Sequence, residues 1–126
     1  MKNSHPIALT IAGSDSGAGA GVQADLKTFA AFGVYGISTL TAITSQNTLG
    51  VQEVLELPTQ IIRTQLDALT TDFNINAIKI GMLSSTSIIE AVVSKIKEHK
   101  LKNLIIDPVM VAKGGDHLLR QDAVNS

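Results

Sequence analysis

Four separated segments of this chain carry groups that could meet a small ligand. The first, residues 13–21, reads Gly13-Ser14-Asp15-Ser16-Gly17-Ala18-Gly19-Ala20-Gly21 and has no large side chain, so its backbone can bend sharply and approach a bound molecule. Asp25 follows one turn into the next helix, where a carboxylate either favours the helix N-terminus or reaches a bound hydroxyl. In the second segment, residues 44–50, Gln46 offers an amide with both donor and acceptor, which suits a heteroaromatic ring nitrogen beside an exocyclic amine. The third, residues 81–85, contains Met82, whose thioether can wall a flat ring. The fourth, residues 107–116, begins with Asp107, able to hold Mg²⁺ or its water near phosphates, and ends in Lys113-Gly114-Gly115-Asp116, a loop able to cover phosphates or simply to turn the chain. Each group also has an ordinary use, as a tight connection, helix-end charge, solvated turn, core methionine or capped strand end, and none is specific alone.

Other chemistries are excluded. A dinucleotide glycine pattern starting at Gly17 puts Val22 where its third glycine belongs, and no Gly-Lys-Ser/Thr follows for a phosphate-binding P-loop. With no cysteine there is no disulfide, thiolate metal site or cysteine nucleophile. His5, His99 and His117 lack zinc spacing, and His99 falls at a helix end where a solvated role is expected. No Gly-x-Ser-x-Gly elbow is present. Ten Lys+Arg against 11 Asp+Glu leave a net charge of -1, which provides no field for nucleic acid or anionic lipid. Aromatics at 3%, with no Trp, leave no platform for stacking bases. The apolar run 7–12 is too short for a signal-peptide core or a membrane span, so a cytoplasmic chain is expected.

The elements that must position these segments follow from periodicity. Residues 6–12 are nearly continuous in apolar character, which suits a strand covered on both faces and ending at Gly13. Residues 22–32 turn helical, with Val22, Leu26, Phe29 and Ala30 on one side and Gly33 as the stop. Residues 35–44 are β-branched and read as a second strand, followed by a polar turn over 45–50 and a short edge strand over 51–57. Pro58 suits a first helical position, and Ile61, Ile62, Leu66 and Leu69 keep helical spacing through Asp72. Residues 77–80 form a third strand. Ser84 to Ser87 then offer caps for a helix carrying Ile88, Val92 and Ile96 up to His99. Leu104-Ile105-Ile106 reads as a buried strand. Strands alternating with helices predict an α/β domain with a mostly parallel sheet, and 126 residues with 44% hydrophobic content suffice for one core. Ligands of such sheets bind beyond the carboxyl ends of the strands, where the four segments would converge.

Read together, the segments carry more than local chemistry. Leu9-Thr10-Ile11-Ala12-Gly13-Ser14-Asp15-Ser16-Gly17-Ala18-Gly19-Ala20-Gly21-Val22-Gln23-Ala24-Asp25-Leu26-Lys27-Thr28 resembles the N-terminal signature of the hydroxymethylpyrimidine/phosphomethylpyrimidine kinase family. The likeness continues in the family's order through Gln46-Asn47-Thr48, Lys79-Ile80-Gly81-Met82-Leu83 and Asp107-Pro108-Val109-Met110-Val111-Ala112-Lys113-Gly114-Gly115-Asp116. The resemblance implies a ribokinase-like α/β fold with helices on both faces of the sheet. It also implies phosphorylation of 4-amino-5-hydroxymethyl-2-methylpyrimidine, then of its monophosphate, by ATP with Mg²⁺ in thiamine diphosphate biosynthesis. In such kinases the pyrimidine sits against positions matching Gly13, Ala20, Asp25, Thr44, Gln46, Met82 and Val109, with Gln46 reading the aminopyrimidine edge and Asp25 near the hydroxymethyl group. Thr44 departs from the pattern, which more commonly has an apolar residue there.

Related pyridoxal and pyridoxine kinases share the glycine loop and the Asp-Pro-Val-Met segment but tend to carry an apolar residue in the place of Gln46, which favours the pyrimidine. Family members run about twice this length and commonly form homodimers. The additional half carries a Gly-Thr-Gly-Cys loop, the catalytic side chain and most of the ATP site. Residues 1–126 are therefore expected to be the N-terminal, substrate-binding half of a single ribokinase-like kinase domain, cut after about half the fold, with no catalytic residue and no activity of its own. A pyridoxal or pyridoxine kinase of the same fold and a non-catalytic pyrimidine-binding module are the alternatives.

Overall fold

The apolar run near the N-terminus becomes the middle strand of a sheet. The computed structural model describes residues 5–107. They are arranged as β1 (Ile7–Asp15), α1 (Gly21–Ala31), β2 (Tyr35–Asn47), β3 (Gly50–Glu56), α2 (Thr59–Thr70), β4 (Ala77–Ile80), α3 (Thr86–Glu98) and β5 (Leu104–Ile106). Strand order is β3-β2-β1-β4-β5. All pairings are parallel except that of β2 with β3, which is an antiparallel hairpin. Among the described residues, no helix is long and apolar enough to cross a membrane.

Alternation along β1 explains the layers. Ile7, Leu9 and Ile11 enter one core with Ile37 of β2, Ile78 and Ile80 of β4, Ile62 and Leu66 of α2, and Ile88, Val92 and Ile96 of α3. Each fully buried Leu or Ile there contributes about 1.5–3 kcal/mol. Thr10, between Leu9 and Ile11, points to the opposite face and donates to Asp25 of α1 at 2.6 Å. Helices thus lie on both faces, as expected. The caps also follow the residue types: Ser85 Oγ accepts from Ile88 N at 3.3 Å to start α3.

Several boundaries differ from the sequence reading. Strand β1 does not end at Gly13, because Ser14 and Asp15 still pair with Ile43 and Thr44 beyond a register shift. Gln46 lies in β2 rather than in a turn. The turn narrows to residues 48–49, because the Asn47 side-chain oxygen accepts from Leu49 N at 2.8 Å and Gly50 N at 3.3 Å and closes it. Pro58 caps α2 from outside instead of occupying its first turn. Strand β5 is not buried: Ile105 and Ile106 are 65% and 67% exposed, because it is the end strand, paired only with β4 among the described residues.

Candidate functional site

The glycine loop is organised by an aspartate at its start. Asp15 is buried at the end of β1, and its carboxylate accepts from Gly17 N at 2.8 Å, Gly19 N at 3.1 Å and Ala20 N at 2.9 Å. An Asp just before a run of small residues is the signal that could have found it, since such side chains bond backbone a few residues on. The consequence is chemical. Loop N–H groups that a phosphate would need are spent on the protein's own carboxylate, so this loop is shaped for close approach rather than for an anion. Gln23 of α1 ties the loop's ends, donating to Ser14 Oγ at 2.6 Å and accepting from Asp15 N at 2.9 Å. Ser16 Oγ joins the loop to β2, donating to Gln46 O at 2.6 Å and accepting from Gln46 N at 2.8 Å.

The loop leaves a cleft at the carboxyl ends of β1, β2 and β4, whose lining includes Gly13, Ala20, Thr44, Gln46, Met82 and Lys79. Two glycines make its floor. A Cβ on Gly13 would stand 2.2 Å from Met82 Cε, so the methionine occupies the space that glycine leaves. Gly21 has φ +64°, and a Cβ there would meet Gly13 O at 2.4 Å. Met82 is itself 7% exposed, so it is at once core and cleft wall. Thr44 is buried, with Oγ1 2.8 Å from Ser14 O and 3.0 Å from the Gln46 amide oxygen. A register shift between Ser45 and Gln46 in the hairpin accompanies Gln46's place at the cleft.

Asp25 is paired within the protein. It is not in the first turn of α1, and it does not line the cleft. Its two oxygens each lie 3.0 Å from Lys79 Nζ, and one also accepts from Thr10. The cation of this pair, not the carboxylate, faces the cleft. In the sequence Lys79 shows only as the start of the Lys79-Ile80-Gly81-Met82-Leu83 motif. Its one visible signal is a lysine inside the apolar strand Ala77–Ile80, which demands a partner.

Gly13, Ala20, Thr44, Gln46 and Met82 are therefore brought together, Asp25 stands behind Lys79, and Val109 lies outside the described residues. Asp107 is exposed beyond β5, its N–H donating to Ile80 O at 2.9 Å, and it is not part of the cleft lining. The Lys113 to Asp116 loop also lies outside the described residues. Of the loop amides, those of Gly17, Gly19 and Ala20 are bonded to Asp15, and among the described residues Asp107 is in no group of three or more potential metal ligands. Among them, one group of three potential metal ligands lies close together, Asp67, Glu98 and His99. Lys95 Nζ already stands 2.9 Å from Asp67 and 3.2 Å from Glu98 there. His99 is not simply solvated, since its Nε2 is 2.9 Å from Asp67 Oδ1 and links α3 to α2. A larger polar cleft lies at the opposite end of the sheet, between the segments 73–76 and 99–103. It opens at the amino ends of β4 and β5, the side from which ligands of parallel sheets are not normally taken.

Comparison with known proteins agrees with this geometry. The family described as phosphomethylpyrimidine kinase matches residues 15–126. The chain belongs to the phosphomethylpyrimidine kinase family. It is 54% identical over 118 residues to the hydroxymethylpyrimidine/phosphomethylpyrimidine kinase of Rhizobium meliloti, an alignment covering 94% of this chain and 44% of that protein. The Bacillus subtilis protein of the same name is 53% identical, with 93% and 43% covered. The fold superposes on the crystal structure of phosphomethylpyrimidine kinase from Clostridium difficile with a TM-score of 0.89 and 51% identity, covering 95% of this chain and 52% of the other. A Bacillus subtilis pyridoxal kinase, solved as an ADP complex, gives a TM-score of 0.78 at 49% identity, covering 92% of this chain and 44% of that one. The chain thus spans about half the length of the relatives it matches.

Proposed function

We propose that this chain forms the aminopyrimidine-binding part of a kinase domain that phosphorylates 4-amino-5-hydroxymethyl-2-methylpyrimidine, and then its monophosphate, towards thiamine diphosphate. The observation that carries the reading is the Gln46 amide beside a cleft walled by Gly13, Ala20 and Met82. The flat ring would lie between the small-residue loop and the Met82 thioether. Gln46 would accept from the exocyclic amine and donate to the adjacent ring nitrogen. Lys79, held by Asp25, would place positive charge near the hydroxymethyl oxygen or the phosphate it later bears. ATP, with Mg²⁺, would supply the phosphoryl group, a reaction governed by positioning and electrostatic stabilisation. The described residues would bind and orient the acceptor, with Val109 completing the pocket and Asp107 near the metal. Residues 1–126 would be the substrate-binding part of one ribokinase-like domain, in a cytoplasmic protein that forms a homodimer at full length.

Calorimetric titration with the pyrimidine tests this reading. Gln46→Met is expected to weaken binding by about 1–3 kcal/mol through loss of the paired hydrogen bonds. Unchanged affinity contradicts the role of Gln46. A second reading, phosphorylation of pyridoxal, is favoured by the likeness to the Bacillus subtilis pyridoxal kinase. Under it Gln46→Met leaves pyridoxal affinity the same or raises it, and the unsubstituted chain prefers pyridoxal to the pyrimidine.

A further inference from the structure

A hydroxyl group has one proton, and Thr44 faces two oxygens. Thr44 Oγ1 is 2.8 Å from the carbonyl oxygen of Ser14 and 3.0 Å from the atom assigned as Gln46 Oε1. Both are acceptors only, so the single Thr44 proton cannot fully serve both. The Ser14 carbonyl cannot become a donor. The Gln46 amide can, because a half-turn about its last side-chain bond exchanges oxygen and nitrogen with no change of shape. With that half-turn every group is matched: Thr44 donates to Ser14 O, and Gln46 Nε2 donates its outer proton to Thr44 Oγ1. The burial of Thr44, 3% exposed, keeps water from taking either place.

We propose that Thr44 is a positioning residue that fixes which end of the Gln46 amide lies beside it, and thereby selects a 4-aminopyrimidine over its 4-oxo counterpart. This rests on reading the cleft as an aminopyrimidine site. With Nε2 held at Thr44, the amide edge facing the cleft presents an N–H on the Thr44 side and the oxygen on the far side. A ring with a bare nitrogen near Thr44 and an amine beyond it matches both. A 4-oxo ring with a protonated ring nitrogen presents the reverse pattern and binds only if the amide turns over, which sacrifices the bond to Thr44. An apolar residue at position 44 imposes no such choice, so the hydroxyl adds discrimination rather than bulk.

Two measurements test this on the chain as it stands. In the ligand-free protein labelled with ¹⁵N, the Gln46 side-chain NH₂ protons are expected to show nuclear Overhauser contacts to the Thr44 side chain, and finding the amide oxygen on that side overturns the proposal. In calorimetry, Thr44→Val is expected to reduce the preference for 4-amino-5-hydroxymethyl-2-methylpyrimidine over its 4-oxo analogue roughly tenfold, the worth of one ordinary hydrogen bond. Thr44→Ser, which restores the hydroxyl, is expected to retain the preference. Full preference in Thr44→Val overturns the proposal. If the unsubstituted chain binds neither ring, the aminopyrimidine reading and the selectivity drawn from it both fall, while the ligand-free contacts still decide the amide's orientation.

Discussion

Two carboxylate–lysine pairs of nearly equal length stand in very different settings. Asp25 and Lys79 meet at 3.0 Å between α1 and β4, and Asp67 and Lys95 meet at 2.9 Å between α2 and α3. In the first, both side chains are mostly covered, at 16% and 23% exposed, Asp25 also holds Thr10, and Lys79 opens onto the cleft. In the second, Lys95 is covered at 13% exposed, but Asp67 is 40% exposed and shares its oxygen with His99, while Glu98, 55% exposed, competes for the same lysine. A water-facing pair is weak because solvent screens it. A covered pair is costly to break because the partner left behind stays desolvated and unpaired. Distance therefore says little about what an ion pair does, and its surroundings say most. One pair braces two helices, whereas the other holds a cation at the edge of a ligand cleft.

The largest expected effect breaks the covered pair. Lys79→Met leaves Asp25 without its cation and should lower stability by about 3 kcal/mol, read as a drop in the urea midpoint. A midpoint equal to that of the unsubstituted chain would make the two pairs equivalent and remove the contrast. Next comes Asp15→Ala, which tests whether a carboxylate at the same edge can matter without any cation. Loss of its three backbone donors should cost about 2 kcal/mol and speed amide exchange at Gly17, Gly19 and Ala20. Smaller, and of opposite sign, is Ala18→Gly. Ala18 sits at φ 63°, where a side chain is disfavoured, so glycine should raise the thermal midpoint by the equivalent of about 0.5–1 kcal/mol.

The smallest effect belongs to the pair whose carboxylate faces water, and it is best seen through pH. Hydrogen bonds from His99 and then Lys95 hold the Asp67 carboxyl below its usual range, and the bond to Asp67 holds Lys95 above its own. A lowered carboxylate pKa gives stability that is present above the unfolded-state value and disappears as pH falls through the folded-state value. The raised Lys95 value gives stability present below its unfolded-state pKa and lost as pH rises through the folded one. Asp67→Asn should therefore differ slightly from the parent in thermal midpoint at neutral pH and converge with it in acid. A difference that persists below the carboxylate range would assign the effect to packing instead.

Much of this arrangement is legible in the residues. Helical spacing at Ile62, Leu66, Ile88, Val92 and Ile96 marks the faces that join the core, and the small-residue run marks the loop at the cleft. Gln46 stands out by its chemistry, although it lies inside β2 and not beyond it. What escapes is what only three dimensions supply. Asp25 and Lys79 are 54 positions apart, so neither betrays its partner in the sequence. Asp15 hides because one carboxylate bonding three nearby amides leaves no periodic trace. Strand β5 reads as buried because Leu104-Ile105-Ile106 is wholly apolar, whereas among the described residues it is the end strand, a distinction hydrophobicity alone cannot make.

The central claim is that the carboxyl-end cleft, and not the larger one at the other end of the sheet, takes an aminopyrimidine. Titrating the ¹⁵N-labelled chain with 4-amino-5-hydroxymethyl-2-methylpyrimidine tests it most directly. The expected result is saturable shifts at Gly13, Ala20, Gln46, Lys79 and Met82, including the Gln46 side-chain amide. Shifts confined to Asn76, Lys100 and Asn103 at the opposite cleft, or no saturable shift anywhere, would contradict it.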